Sequence, residues 1–257
     1  MKKREKLDLI LIILWPIVAA VMSLVLKLNL IGSILVFYFI PSLFLSIRIK
    51  AEIGKASIFS LLGIPAYILI ETVGNMSNAW IVPTLFPFKL FGSSIEGALW
   101  GFFAIYLAVM FYEYFIDHHI TKKLYGKNFK YFMILVLALF SIFILSLFGF
   151  PNFLRIPYAY SIIGLVFILI PILLELFSHH KFFTKFFIAA AYFFYFNFIY
   201  EITALTLRWG YFPVNGQFIG WIDLFGLMFP FEELFFFIMI SVMAILSLFE
   251  FFDEDHK

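Results

Sequence analysis

Five glutamates carry most of the chemistry this sequence could perform. Glu232 and Glu233 are adjacent inside Pro230-Phe231-Glu232-Glu233-Leu234-Phe235-Phe236-Phe237, Glu96 stands in Ser94-Ile95-Glu96-Gly97, and Glu71 and Glu201 close two long apolar runs. An ionisable side chain inside a membrane span is costly, about 2.5–3.5 kcal/mol near the centre on insertion scales, so each is a candidate functional group. Neighbouring helical positions point ~100° apart, which would turn one of Glu232 and Glu233 to a cavity and the other to an adjoining helix. A neutral carboxylic acid in an apolar, aromatic cavity is a general acid. Phe229, Phe231, Phe235, Phe236 and Phe237 crowd the pair, and Trp100, Phe102 and Phe103 follow Glu96; aromatic faces stabilise cations by up to ~2 kcal/mol when desolvated.

Other polar residues could complete two sites. Glu71 shares a helical face with Asn75, and with Asn78 if the helix continues, while Glu201 lies four positions after Asn197 and seven before Arg208. Trp80 and Trp209 would roof the two groups. A structural alternative stands beside this one: buried carboxyls that accept hydrogen bonds from helix breaks at Pro83, Pro213 and Pro230. Metal chemistry is not expected. Cys is absent, and the pairs His118-His119 and His179-His180 fall in loops with no defined ligand geometry. No Gly-rich phosphate loop, dinucleotide fingerprint or Asp-rich diphosphate cluster is present, so no cofactor is expected either.

The elements that position these groups are membrane helices. Of 257 residues, 64% are apolar and only 13% charged, against roughly 25% charged in soluble domains. A spanning helix needs ~20 apolar residues, and eight stretches qualify, about Leu7–Leu26, Leu30–Ile47, Ser57–Val73, Ser94–Phe115, Tyr131–Phe148, Tyr158–Leu176, Lys185–Leu205 and Asp223–Phe249. The runs do not alternate, which excludes a membrane barrel. The fold class is an all-α polytopic bundle. Placing both termini in the cytoplasm puts 14 of the 18 basic residues on that side. Glu113, Glu175 and Glu250 lie in last turns before that side and read as solvated helix ends, the cytoplasmic halves of the spans as almost purely apolar, and Asp253-Glu254-Asp255 as a solvated tail. The net charge of +2 gives no reason to invoke nucleic acid.

The loops after spans three and seven look alike. One runs from Glu71 through Trp80, Pro83 and Gly92 to Ser94-Ile95-Glu96; the other runs from Glu201 through Trp209, Pro213 and Gly226 to Pro230-Phe231-Glu232-Glu233. Two parallel four-helix repeats, 1–125 and 126–257, are expected. Register is ambiguous by one residue: matching Glu113 with Glu250 pairs Glu96 with Glu233, and matching Ser94 with Pro230 pairs it with Glu232.

Pro230-Phe231-Glu232-Glu233 before a Phe-rich helix, preceded by Arg208-Trp209-Gly210-Tyr211, resembles the membrane lycopene cyclase domain family of heterodimeric and fused carotenoid cyclases. The whole length fits two copies of such a domain. The first departs from the pattern, with Ser94 for Pro and Gly97 for the second acid. The resemblance implies a redox-neutral, proton-initiated closure of a linear polyene end group. It gives Glu232 or Glu233 the role of acid, makes Glu96 the counterpart, and leaves Glu71, Glu201, Trp80 and Trp209 as support, with the bilayer supplying a lipophilic isoprenoid substrate. Asn75, Trp100, Asn197, Arg208, Tyr211 and Phe236 join the candidate substrate-binding set. The alternatives are a multi-pass transporter or binding protein with outer-leaflet carboxylates, or an inactive relative of the cyclases. An intramembrane Glu-Glu protease would need an Arg soon after the pair and His within the spans, and both are missing.

Overall fold

The computed structural model describes residues 3–118, 129–179, 182–214 and 216–253. The repeat boundary expected at 125/126, and His119, His180, Glu254 and Asp255, lie outside them. Eight helices are long and apolar enough to cross a membrane: α1 (Lys3–Leu26), α2 (Leu30–Arg48), α3 (Lys50–Met76), α4 (Ile95–Asp117), α5 (Lys130–Gly149), α6 (Ala159–Phe177), α7 (Phe183–Leu207) and α8 (Glu233–Asp253). The chain is a multi-pass, all-α membrane protein. Two small hairpins complete it, β1 (Lys89–Leu90) with β2 (Ser93–Ser94), and β3 (Trp221–Leu224) with β4 (Leu227–Pro230).

The second hairpin corrects the sequence reading of span eight. Residues from Asp223 do not start a helix; they pair across a turn, Asp223 opposite Met228 and Leu224 opposite Leu227. The turn explains why. Phe225 and Gly226 both have positive φ, 54° and 83°, as do Phe91 and Gly92 in the first hairpin, 53° and 97°. Two successive left-handed residues make the tight turn whose twist matches paired strands. The tripeptide Leu-Phe-Gly at both tips (Leu90 and Leu224) was the available signal.

Helices α2 and α6 are built alike. Each begins with one α-helical turn, Leu30–Ile34 or Ala159–Ile163, and widens into a π-helical segment, Leu35–Phe39 or Gly164–Leu169. Each π segment ends just before an Ile-Pro step, Ile40-Pro41 or Ile170-Pro171. Proline lacks an N–H and its ring clashes with the carbonyl four residues back; widening the preceding turn relieves both. One carbonyl in the α2 segment, that of Val36, accepts a hydrogen bond from the Trp15 indole at 2.8 Å.

Between the ends, rings pack across helices. Phe37 of α2 meets Phe196, Tyr200 and Trp209 edge-on, and Phe111 of α4 stacks on Tyr192 of α7 with centroids 4.3 Å apart. Lipid tails are as apolar as these side chains, so contact geometry rather than water exclusion holds such helices together.

The end of the bundle that carries the termini differs from expectation. Glu113, Glu175 and Glu250 are buried, only 4, 8 and 6% exposed, and Asp253 is buried with them. Arg48 pairs with Asp8 at 2.8 Å, and Tyr114 donates to the same carboxyl at 2.6 Å. Lys55 bridges Glu52 at 3.1 Å and Asp253 at 2.9 Å, Lys185 pairs with Asp117, and Tyr112 donates to Glu250. The terminal halves of the spans are therefore not purely apolar. Position near a helix end says that water is close along the axis, but not which face the side chain occupies, and here the acids face neighbouring helices. Removing one partner of a buried ion pair costs about 3–5 kcal/mol. We expect Lys55→Met to destabilise the protein in detergent micelles by an energy of that order, read as a lowered thermal unfolding midpoint, and exposed Lys89→Met to change stability by less than ~0.5 kcal/mol. Equal midpoints for the two variants would remove the ion cluster from the account of stability.

Candidate functional site

The opposite end holds the five glutamates, and they divide into two kinds. Glu96 and Glu232 do the same thing. Glu96 Oε1 accepts the N–H groups of Leu85 and Phe86 at 2.8 and 2.9 Å. Glu232 Oε1 accepts the N–H of Ile219 at 2.7 Å and the Ser161 hydroxyl at 2.8 Å. Each is 1% exposed, sits at the start of a long helix and ties down the loop before it. Their second oxygens, Glu96 Oε2 and Glu232 Oε2, are buried without a hydrogen-bond partner.

The other three lie among aromatic side chains. Glu71 on α3 is 2% exposed and saturated: Ser94 donates to Oε1 from its N–H at 3.2 Å and its hydroxyl at 2.8 Å, and the Ser93 hydroxyl donates to Oε2. Gly97 leaves the room. A Cβ there would lie 2.5 Å from Glu71 Oε2 and 2.6 Å from the Tyr67 hydroxyl. Glu233 receives a hydrogen bond from the Tyr160 hydroxyl. Glu201 is half-buried, and among the described residues no hydrogen-bond donor reaches its carboxyl. Tyr200 adjoins Glu201 in α7, and Tyr67 stands one helical turn before Glu71 in α3.

Trp100 is the hub of one group of these rings. Its ring lies 5.9 Å from Tyr38, 5.7 Å from Tyr67 and 6.3 Å, nearly parallel, from Tyr200. The Trp100 Nε1 and Tyr38 Oη atoms are buried and without a hydrogen-bond partner. The sequence reading missed Tyr38, Tyr67, Tyr160, Ser161 and Tyr200. Two of them had a local signal: Tyr67 stands one helical turn before Glu71, and Tyr200 adjoins Glu201.

The remaining expected residues sit around this centre. Trp80 packs on Tyr160 at 5.0 Å, and Trp209 packs on Tyr200 at 5.7 Å while donating its indole N–H to the Leu28 carbonyl at 2.8 Å. Asn78 and Arg208 hold left-handed conformations, φ 52° and 57°, each seven positions after Glu71 or Glu201. Trp80 and Trp209 are consequently one position out of register. Neither Asn75 nor Asn197 is hydrogen-bonded to its neighbouring glutamate among the described residues, and Phe236 packs in the interior beside Phe235. Ile81 and Tyr211 exchange backbone hydrogen bonds, both 3.0 Å, and join the two loops. Beside that bridge is a cavity of about 450 Å³ lined by Pro83, Leu205, Arg208, Tyr211, Leu227 and Met228. Leu205 is one helical turn beyond Glu201 on the same face of α7.

Comparison with protein-family models, curated proteins and solved structures finds no match to this chain.

The loop-holding geometry predicts a split between two substitutions. Gln keeps a carbonyl oxygen for both donors, so Glu96→Gln and Glu232→Gln should each stay within ~1 kcal/mol of the parent. Glu96→Ala and Glu232→Ala should each lose about 1–2 kcal/mol by removing the acceptor that holds part-buried N–H groups of the loops. Protease sensitivity of the two loops, read with unfolding midpoints in micelles, checks this; equal effects of Gln and Ala would refute it.

Proposed function

We propose that this chain is an isoprenoid-modifying membrane enzyme, a cyclase-type isomerase of polyene end groups as in carotenoid biosynthesis, working by proton transfer between buried glutamates. The observation that carries the reading is two glutamates set among packed aromatic rings: Glu233 on the phenol of Tyr160, which stacks on Phe237, and Glu201 beside Tyr200, which stacks on Trp100. The roles follow from the hydrogen bonds. Glu201 has no donor to support a negative charge and is assigned the acid; Glu233 accepts from Tyr160 and is assigned the base. Glu201 gives its proton to the terminal alkene of a linear polyene, the resulting tertiary cation is attacked by an internal double bond to close a ring, and Glu233 removes a proton from the ring carbon. No electrons are gained or lost. The faces of Tyr38, Tyr200 and Trp100 are placed to stabilise the cation, and the 450 Å³ cavity supports an entrance of end-group size.

The same proposal includes the repeat. The matched π segments, the matched Phe-Gly turns and the like roles of Glu96 and Glu232 support two parallel halves. Eight spans with the basic residues concentrated at one end support cytoplasmic termini.

One observation favours a second reading, proton or cation movement by a transporter: the buried acids at the terminal end give the bundle polar groups at both membrane levels. Proton flux in liposomes containing the purified chain, without any hydrocarbon substrate, would support that reading against the enzyme.

Expression in lycopene-accumulating cells tests the enzyme directly. We expect ring-bearing pigments from the parent, at least ~100-fold loss in Glu201→Gln and Glu233→Gln, and most of the turnover kept in Glu96→Gln. Unchanged lycopene with the protein present in the membrane would remove the carotenoid substrate, and full turnover in both losing variants would overturn the acid and base assignment.

A further inference from the structure

We infer that the chain holds one proton-transfer centre, in its second half, and that the corresponding place in its first half is closed into a structural clamp by Gly97. The inference deepens the proposed function and rests on it for its consequence. It starts from two glutamates in like positions. Glu71 and Glu201 each stand seven residues before a left-handed residue at the end of a helix, and each helix is followed by a loop, a Phe-Gly hairpin and a helix headed by a loop-holding glutamate. Matching Glu96 with Glu232 puts Gly97 where Glu233 stands.

That single difference changes the state of the partner carboxyl. With no side chain at 97, the Glu71 carboxyl moves against the helix start and takes three donors from Ser93 and Ser94. Both its oxygens are occupied, it is 2% exposed, and no space is left beside it. With both oxygens occupied by the start of the next helix, this carboxyl is committed to holding that helix rather than to meeting a substrate. In the second half Glu233 fills the corresponding place and takes its own donor from Tyr160. Glu201 then has no serine cradle and lies one turn below the cavity wall at Leu205. The first half has become scaffold. Under the cyclase reading, a symmetric linear polyene is processed at one end per binding event, and a one-ring product is released before the second end can enter.

Dicyclohexylcarbodiimide is the probe. It adds to a protonated carboxyl in apolar surroundings, and the adduct is mapped by peptide mass on the full-length protein in liposomes. We expect the adduct on Glu201 at least ten-fold above Glu71 and Glu96, abolished in Glu201→Gln. Gly97→Ala should expel Glu71 from its cradle and raise its labelling several-fold. The double variant Ser93→Ala/Ser94→Ala, which removes donors without adding bulk, should do the same if Gly97→Ala fails to fold. Labelling of Glu71 equal to Glu201 in the parent, no labelling of Glu201, or unreactive Glu71 in both variants would overturn the inference. Labelling confined to Glu201 with lycopene unchanged would leave the single centre standing and remove the cyclase reading. Pigment conversion with Glu71 labelled as strongly as Glu201 would do the reverse.

Discussion

A carboxyl buried at membrane depth must find donors, and this requirement organises both ends of the molecule in different ways. At the end carrying the termini the donors are cations and phenols from other helices: Arg48 and Tyr114 for Asp8, Lys55 for Glu52 and Asp253, Lys185 for Asp117. At the other end no ion pair serves the five glutamates among the described residues; backbone N–H groups, serines and tyrosines do the work. Along α4 the 17 residues from Glu96 to Glu113 span about 25 Å, close to the thickness of a hydrocarbon core. The two polar layers thus lie near its two edges, with rings and aliphatic side chains between.

The difference has consequences for what each layer can do. Ion-paired acids join helices and hold α1, α2, α3, α4, α7 and α8 in register. Glutamates held by neutral donors can change protonation without leaving an opposite charge stranded in the interior. The proposed proton chemistry is placed at the loop end for this reason. Glu96 and Glu232 have one oxygen committed to the loops, so the loops are fixed by the same residues that begin the helices.

Much of the architecture was legible because a membrane helix declares itself by uninterrupted apolar length. The same property hid the second hairpin. Trp221, Ile222, Leu224, Leu227, Met228 and Phe229 are as apolar as the helix that follows, and composition does not separate strand from helix in such a stretch. The left-handed Phe225-Gly226 turn does. The one-residue ambiguity between Glu232 and Glu233 also has a physical origin. Eighteen residues separate Glu232 from Glu250 but seventeen separate Glu96 from Glu113, and the π-helical segment Glu233–Ile240 is where α8 accommodates an extra residue. If the halves are repeats, both alignments hold, one on each side of that segment. At the site, residue type identified the glutamates but not their partners. A chain with 13 Tyr and 39 Phe offers no contrast by which to pick out Tyr38 or Tyr160, and nothing in the order of Ser93 and Ser94 shows that they cradle a glutamate more than twenty positions earlier.

The partners, rather than the acids, decide the chemistry. Pro230-Phe231-Glu232-Glu233 draws attention to an acidic pair, yet the pair is divided by its hydrogen bonds: Glu232 holds the chain, and Glu233 faces the phenol of Tyr160. Glu201, outside that acidic pair, has neither cation nor donor among the described residues. A group in that position is either an unrelieved expense to the fold or one whose proton is meant to move. The aromatic row around it favours the second. Tyr38, Tyr200 and Trp100 pack as one group of rings beside it, with Trp100 5.9 Å from Tyr38 and 6.3 Å from Tyr200. Under the proposed function, the faces of these rings are what would stabilise a transient cation.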